Sequence, residues 1–211
     1  MPAPSYPDRR HVLDDGCSRC PDLVACRERI SWGTGDRDAA VFVVGEAPGA
    51  GDPDAERWRG GNWTGKAYTA RHSGRRIREL LAAAAHPDAY VTNAVKCFPC
   101  DGAGSNREPT AEERANCRPH LRAELATVDP DAVVATGRHA TASLLALDDR
   151  TLDGFVDRVL DPVALEAVDA TLVPILHPSY QDVWRSKLGY TAAEYRAAVC
   201  DAIAAAVENP V

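Results

Sequence analysis

Four short apolar runs recur along the chain, and each ends at a residue able to do chemistry or to turn the backbone. They are Ala40–Val44 before Gly45, Ala89–Val95 before Lys96, Asp131–Thr136 before Gly137, and Thr171–Leu176 before His177. Apolar residues fill successive positions in these runs rather than alternate ones. That pattern predicts strands buried on both faces, as in a parallel sheet. Helical spacing lies between them. Gly74 to Ala85 places Ile77, Leu80 and Leu81 on one side, and Pro87 ends it. Thr110 followed by Glu113 forms a capping box, predicting a helix through Cys117 and Leu121 to about Thr127. Further helices are expected within Cys17–Ile30, from about Arg138 to Leu147, and over Thr191–Val207. Leu152–Ala170 is ambiguous, with hints of a short strand at Phe155–Leu160.

Alternating strands and helices predict an α/β fold, a three-layer α/β/α sandwich around a central, mainly parallel four-stranded sheet. Residues 1–15 read as a flexible polar lead and 16–211 as a single domain. In open sheets of this kind, ligands bind beyond the carboxyl ends of the strands. Glu46, Asn93 and His177 all fall there, so three strands bring an acid, an amide and an imidazole to one rim. Ala50–Ala70 is a long Gly-rich loop carrying Trp58, Trp63 and Tyr68. Loops of that length in a compact domain are usually functional, and a planar ligand would use the aromatics.

Charge changes the picture modestly. The net charge of −7 comes from 20 Asp and 11 Glu against 21 Arg and only 3 Lys. An Asp-rich, Lys-poor surface points to a protein kept soluble in concentrated salt, as in a halophilic archaeon; a drift toward Arg and Ala in a GC-rich genome gives the same bias. No apolar run approaches a membrane span, and Met1–Arg10 lacks the apolar stretch of a signal peptide. Those two features place the chain in the cytoplasm.

Seven cysteines are many for that compartment, where clustered thiols indicate metal or redox chemistry. Cys17-x-x-Cys20 and Cys97-x-x-Cys100 are paired, Cys117 lies beyond, and Cys26 and Cys200 stand apart. Four thiolates can hold zinc or an iron–sulfur cluster. The gap between the pairs is much longer than in a zinc ribbon.

Taken in order, these pieces resemble the uracil-DNA glycosylase superfamily, specifically its iron–sulfur family 4. The resemblance rests on Cys17-x-x-Cys20-Pro21, Gly45-Glu46-Ala47-Pro48-Gly49, Trp63-Thr64-Gly65-Lys66-Ala67, Thr92-Asn93-Ala94-Val95-Lys96-Cys97, Asn106-Arg107-Glu108-Pro109-Thr110, Cys117-Arg118-Pro119 and His177-Pro178-Ser179. It implies that Cys17, Cys20, Cys97 and Cys117 hold a structural 4Fe–4S cluster, leaving Cys26, Cys100 and Cys200 as spares. It implies a pocket for a uracil flipped out of DNA, lined by Glu46, Ala47, Pro48, Trp63, Asn93 and His177. Asn93 would read the Watson–Crick edge, Trp63 would stack on the base, and His177 would stabilise the departing anion. Glu46, or Asp52 in its place, would orient water or stabilise the sugar cation. Lys96, Arg107, Ser179, Tyr180 and Arg185 would contact DNA, with Tyr180 as the wedge. A monomer is expected. The rival readings are a non-catalytic or covalently trapping uracil-DNA binder and an iron–sulfur redox protein.

Overall fold

A computed structural model describes residues 4–209. Seven helices and five strands follow one another along them. In chain order they are α1 (Pro21–Cys26), β1 (Val41–Gly45), α2 (Gly61–Thr64), α3 (Ser73–Ala83), β2 (Tyr90–Asn93), α4 (Ala111–Val128), β3 (Ala132–Thr136), α5 (Arg138–Leu145), β4 (Val163–Leu165), β5 (Ala170–Ile175), α6 (Gln181–Lys187) and α7 (Ala192–Glu208). The sheet order is β2-β1-β3-β5-β4. The first four of these are mutually parallel, with Val43 opposite both Val91 and Val134.

The expected sheet gains a fifth member. β4 pairs antiparallel with β5 at the edge. It comes from the ambiguous stretch, while Val156–Arg158 inside the suspected strand is a turn of 3-10 helix. Three residues are too few to carry a periodic signal, so only pairing with β5 defines this strand.

Successive strand residues point to opposite faces, and both faces are buried. Val41, Val43, Val91, Val134 and Val173 pack against Ile77 and Leu81 of α3 and Val199 and Ile203 of α7. Phe42, Val44, Val133, Ala135 and Leu172 pack against Leu121 and Leu125 of α4 and Leu144 of α5. The helix starts are encoded locally. The Thr110 hydroxyl accepts from the Glu113 amide while the Glu113 carboxylate accepts from the Thr110 amide. Thr191 and Glu194 repeat that box before α7.

Within the lead, residues 1–3 lie outside the described residues. Beyond them His11 bridges Gly33, the Lys66 ammonium donates to the Pro7 and Asp8 carbonyls, and the Trp32 indole donates to Asp15. One expectation about the N-terminal region needs correction: Cys26 and Cys100 are not spares. They form a disulfide that joins the end of α1 to the loop after β2 across 74 positions.

By chain entropy, a cross-link over a loop of this length stabilises by up to about 4 kcal/mol. Cys26→Ser/Cys100→Ser should therefore lose on the order of 2–4 kcal/mol in non-reducing urea unfolding. Added reductant should destabilise the parent chain by a similar amount and leave the double variant unchanged.

Candidate active site

The rim is built where β1 and β2 end side by side. Gly45 lies directly opposite Asn93. A side chain on Gly45 would reach within 2.5 Å of both the Asn93 Oδ1 and the Tyr68 hydroxyl, so only glycine lets these two approach. The chain then continues in register, with the Ala94 and Val95 amides donating to the Gly45 and Glu46 carbonyls. Asn93 is only 4% exposed. Among the described residues, nothing hydrogen-bonds its side-chain amide. The amide is thus free to pair with a ligand that enters the recess.

That amide faces a recess of about 40 Å³, shared with Glu46, Ala47, Pro48, Tyr68 and His177. The recess adjoins a cleft of about 640 Å³ that shares Glu46, Ala47, Pro48 and His177 and extends to Trp58, Asp52, Arg107, Ser179 and Tyr180. Three strands thus bring Glu46, Asn93 and His177 together as the sequence pattern predicted.

Burial acts oppositely on the two titrating groups. It disfavours charge, so His177 is pushed down to about 4. Its Nδ1 accepts from the Ser179 amide at 3.2 Å, which leaves the ring proton on Nε2. The ring's position also depends on Gly137, whose φ is +92° and where a Cβ would stand 3.1 Å from that of His177. Burial, helped by the Glu108 carboxylate, raises the Glu46 carboxyl above the ordinary range, and His139, Arg114 and Arg138 oppose that only in part. The site therefore holds a neutral donor beside an acid tuned by a positive cluster.

Several predicted contacts fall elsewhere. Trp63 does not line the recess. Its indole donates to the Ala50 carbonyl at 2.8 Å, and Arg59 sits over its ring. Tyr68 is the aromatic wall instead, with φ +51° and its hydroxyl bonded to Thr136. The loop's aromatics were visible in sequence, but which ring turns inward is decided by the backbone between α2 and α3. Asp52 lies in the outer cleft, where its carboxylate accepts from the Asp54 amide, so Glu46 is the acid of the inner recess.

Lys96 is no surface cation; it is 1% exposed and paired with Glu124. A residue in the turn after a strand can point either way, and here an internal acid draws it inward. Arg107 borders the cleft with four of its five donors used on the Cys100 and Glu108 carbonyls and the Glu113 carboxylate. Arg185 is bonded to Asp182 and lines a separate cavity with Arg76 and Arg196. Ser179 and Tyr180 are exposed at the cleft mouth, and Tyr180 is 65% exposed. Arg71 and Glu108, not singled out as contacts from the sequence, also border the cleft.

Cys17, Cys20, Cys97 and Cys117 remain free thiols around one apolar cluster with Leu23, Ile30 and Trp32. Each sulfur has one nitrogen neighbour. Arg27 donates to Cys97, the Lys96 amide to Cys117 and Asn116 to Cys20, while His120 Nε2 lies 3.4 Å from Cys17. Among the described residues, the ligand-bearing group drawn within 4.8 Å of one another is Asp14, Cys17 and His120. Four thiols brought from three chain segments into one apolar cluster are the donor set that holds an iron–sulfur cluster or a structural zinc. Burial pushes the Cys117 thiol up to about 12, and only a bound cation would remove that proton near neutrality.

A mainly parallel, doubly covered sheet with a ligand-ready rim defines the class: an α/β protein binding at its strand ends. The sequence model of the Uracil DNA glycosylase superfamily matches residues 32–203. The chain is 34% identical over 169 residues to the type-5 uracil-DNA glycosylase of Pyrobaculum aerophilum, covering 66% of this chain and 69% of that one. It is 31% identical over 170 residues to the type-4 uracil-DNA glycosylase of Thermotoga maritima, covering 78% and 77% respectively. The type-4 enzyme of Pyrobaculum aerophilum is 31% identical over 149 residues, covering 70% and 68%. The chain belongs to the uracil-DNA glycosylase superfamily.

Nitrogen-15 NMR of labelled histidine should show His177 neutral, protonated at Nε2 and not Nδ1, down to about pH 4. Because this folded pKa lies below the unfolded value of about 6.5, the group's contribution to stability is complete above that value. It is lost as pH falls toward 4, a trend the His177→Ala variant should lack.

Proposed function

We propose that this protein excises uracil from DNA by hydrolysing the N-glycosidic bond of a deoxyuridine flipped out of the strand. The observation that carries this reading is the open Asn93 amide, buried beside a neutral His177 and the Glu46 carboxyl. A side-chain amide offers one donor and one acceptor face. It pairs with uracil O4 and N3–H together and mismatches cytosine, which presents the opposite pattern.

An enzyme of this kind unstacks the nucleotide and captures the base in a fitted recess. Tyr68 supports the base plane, and the Ala47–Pro48 backbone closes its edge. As the glycosidic bond breaks, negative charge gathers on the uracil and positive charge on the sugar. The His177 Nε2–H donates to uracil O2. A neutral imidazole suits this step, because it stabilises the leaving anion without first giving up a proton to water. Such preorganised donors supply much of the catalytic effect. Glu46, held at the same recess, stabilises the sugar cation and orients the water that attacks it. Tyr180 stands where it can fill the gap in the stack, and Arg71 and Arg107 border the path of the phosphates.

Cys17, Cys20, Cys97 and Cys117 would hold the 4Fe–4S cluster. Its contribution when bound is iron–thiolate cross-linking of the segment before α1, the turn after β2, and α4. We further read the enzyme as a cytoplasmic monomer of the type-4 kind. The Asp-rich, Lys-poor composition supports a home in concentrated salt, as in a halophilic archaeon. No helix among the described residues is long and apolar enough to cross a membrane.

An assay on a uracil-containing oligonucleotide tests the reading. The parent protein should leave an alkali-labile abasic site, and its failure to do so would overturn the proposal. His177→Ala should lower kcat by about 10²–10³-fold, with a similar loss for Asn93→Ala. Tyr68→Ala should cost more activity than Trp63→Ala. The rate should fall toward acid as the raised Glu46 carboxyl takes up its proton, while His177 stays neutral. Glu46→Gln should be slow and should lose that acid limb.

A further inference from the structure

We propose that the buried Lys96–Glu124 pair is a positioning device for Asn93, holding the base-reading amide through its own backbone carbonyl. The inference rests on the reading of Asn93 as the residue that recognises uracil.

Lys96 lies three residues past Asn93 and one before Cys97. Its side chain folds back beneath the end of β2. The ammonium donates to the Thr92 hydroxyl at 2.8 Å, to the Asn93 carbonyl at 2.5 Å and to Glu124 at 2.5 Å. All three of its protons are thereby used. Glu124 is equally enclosed, at 1% exposure. Its carboxylate also accepts from the Tyr90 and Thr92 hydroxyls and from the Gly33 amide. Lysine and glutamate are almost never fully buried unless paired, and this pair is complete.

Stability alone does not account for such a pair, because apolar residues of similar volume often do as well. Its geometry gives it a further role. Among the described residues the Asn93 side chain has no hydrogen-bond partner of its own, so its aim is inherited from the backbone. β2 is an edge strand, so no neighbouring strand lies on the side away from β1. The Lys96 ammonium grips the Asn93 carbonyl. It is held in turn by Glu124 on α4, two turns from Cys117 on the same helix. The Lys96 amide donates to the Cys117 sulfur at 3.3 Å, and its carbonyl accepts from the Ser31 amide at 2.7 Å. The rim of the recess and the cysteine-bearing helix are therefore braced by one residue.

A double-mutant cycle tests this. Lys96→Met/Glu124→Met removes both charges together and leaves neither ion stranded. With the thermal midpoint and the visible iron–thiolate absorbance retained, kcat/KM on uracil DNA should fall by about tenfold or more; a reacting group misplaced by about 1 Å can cost on the order of 10²-fold. Placed on Asn93→Ala, the same pair of changes should cost little further, because its effect passes through Asn93. Thr92→Val should show the same non-additivity with a smaller loss, and it supplies the measurement if the double variant does not fold. Full activity in the folded double variant, or an equal loss in both backgrounds, would overturn the inference. A parent protein inactive on uracil DNA would instead overturn the functional reading beneath it.

Discussion

The parallel pairing of β1 with β2 is the constraint on which the rest depends. It sets Gly45 against Asn93 and makes both strands end at one rim. Glycine at that spot removes the side chain that would otherwise stand between the amide and the Tyr68 ring. Parallel strands end together only because helices return the chain across the sheet faces, so α3 and α4 are part of the same arrangement. The recess is then a consequence of topology, and its chemistry follows from which side chains happen to sit at strand ends.

Burial does most of the electrostatic work. The same desolvation keeps His177 uncharged and raises Glu46. In the proposed reaction that outcome is useful for the histidine, since a neutral Nε2–H donates without competing for a proton. For the acid it would be a hazard there, because a carboxylate must be ionised to meet a cation. His139, Arg114 and Arg138 around Glu46 offset it in part from the start of α5 and the first turn of α4. Glu108, bonded to His139 at 3.0 Å, connects that group to the cleft.

The N-terminal segment is held to the body of the protein several times over. Four of the five free thiols gather around Leu23 and Trp32, the Cys26–Cys100 disulfide closes nearly the same span, and Arg27 reaches both Cys97 and the Cys17 carbonyl. This region carries few apolar residues of its own, so cross-links take the place of a larger core. The buried Lys96–Glu124 pair continues the brace from the cysteines to the end of β2.

Much of this was legible in the sequence. The four parallel strands, the α4 capping box, and the meeting of Glu46, Asn93 and His177 all follow from short-range patterns: unbroken apolar runs, a Thr/Glu pair three residues apart, and reactive residues placed just past strand ends; the choice of Cys17, Cys20, Cys97 and Cys117 came from the family resemblance, since spacing alone pairs Cys97 with Cys100. What the pattern left open was direction and partnership. Trp63 and Tyr68 are both aromatics on one loop, and only the backbone between α2 and α3 turns one of them inward. Lys96 reads as a surface cation until α4 presents Glu124 behind it. Cys26 and Cys100 look unrelated until folding brings together residues 74 positions apart. The edge strand β4 exists only because β5 offers it a ladder. The sequence by itself determined the local elements and the kinds of groups at the rim, because those depend on neighbours within a few residues. The tertiary structure alone decided which ring, which acid and which thiols meet, because those contacts depend on chain segments that the sequence does not place side by side.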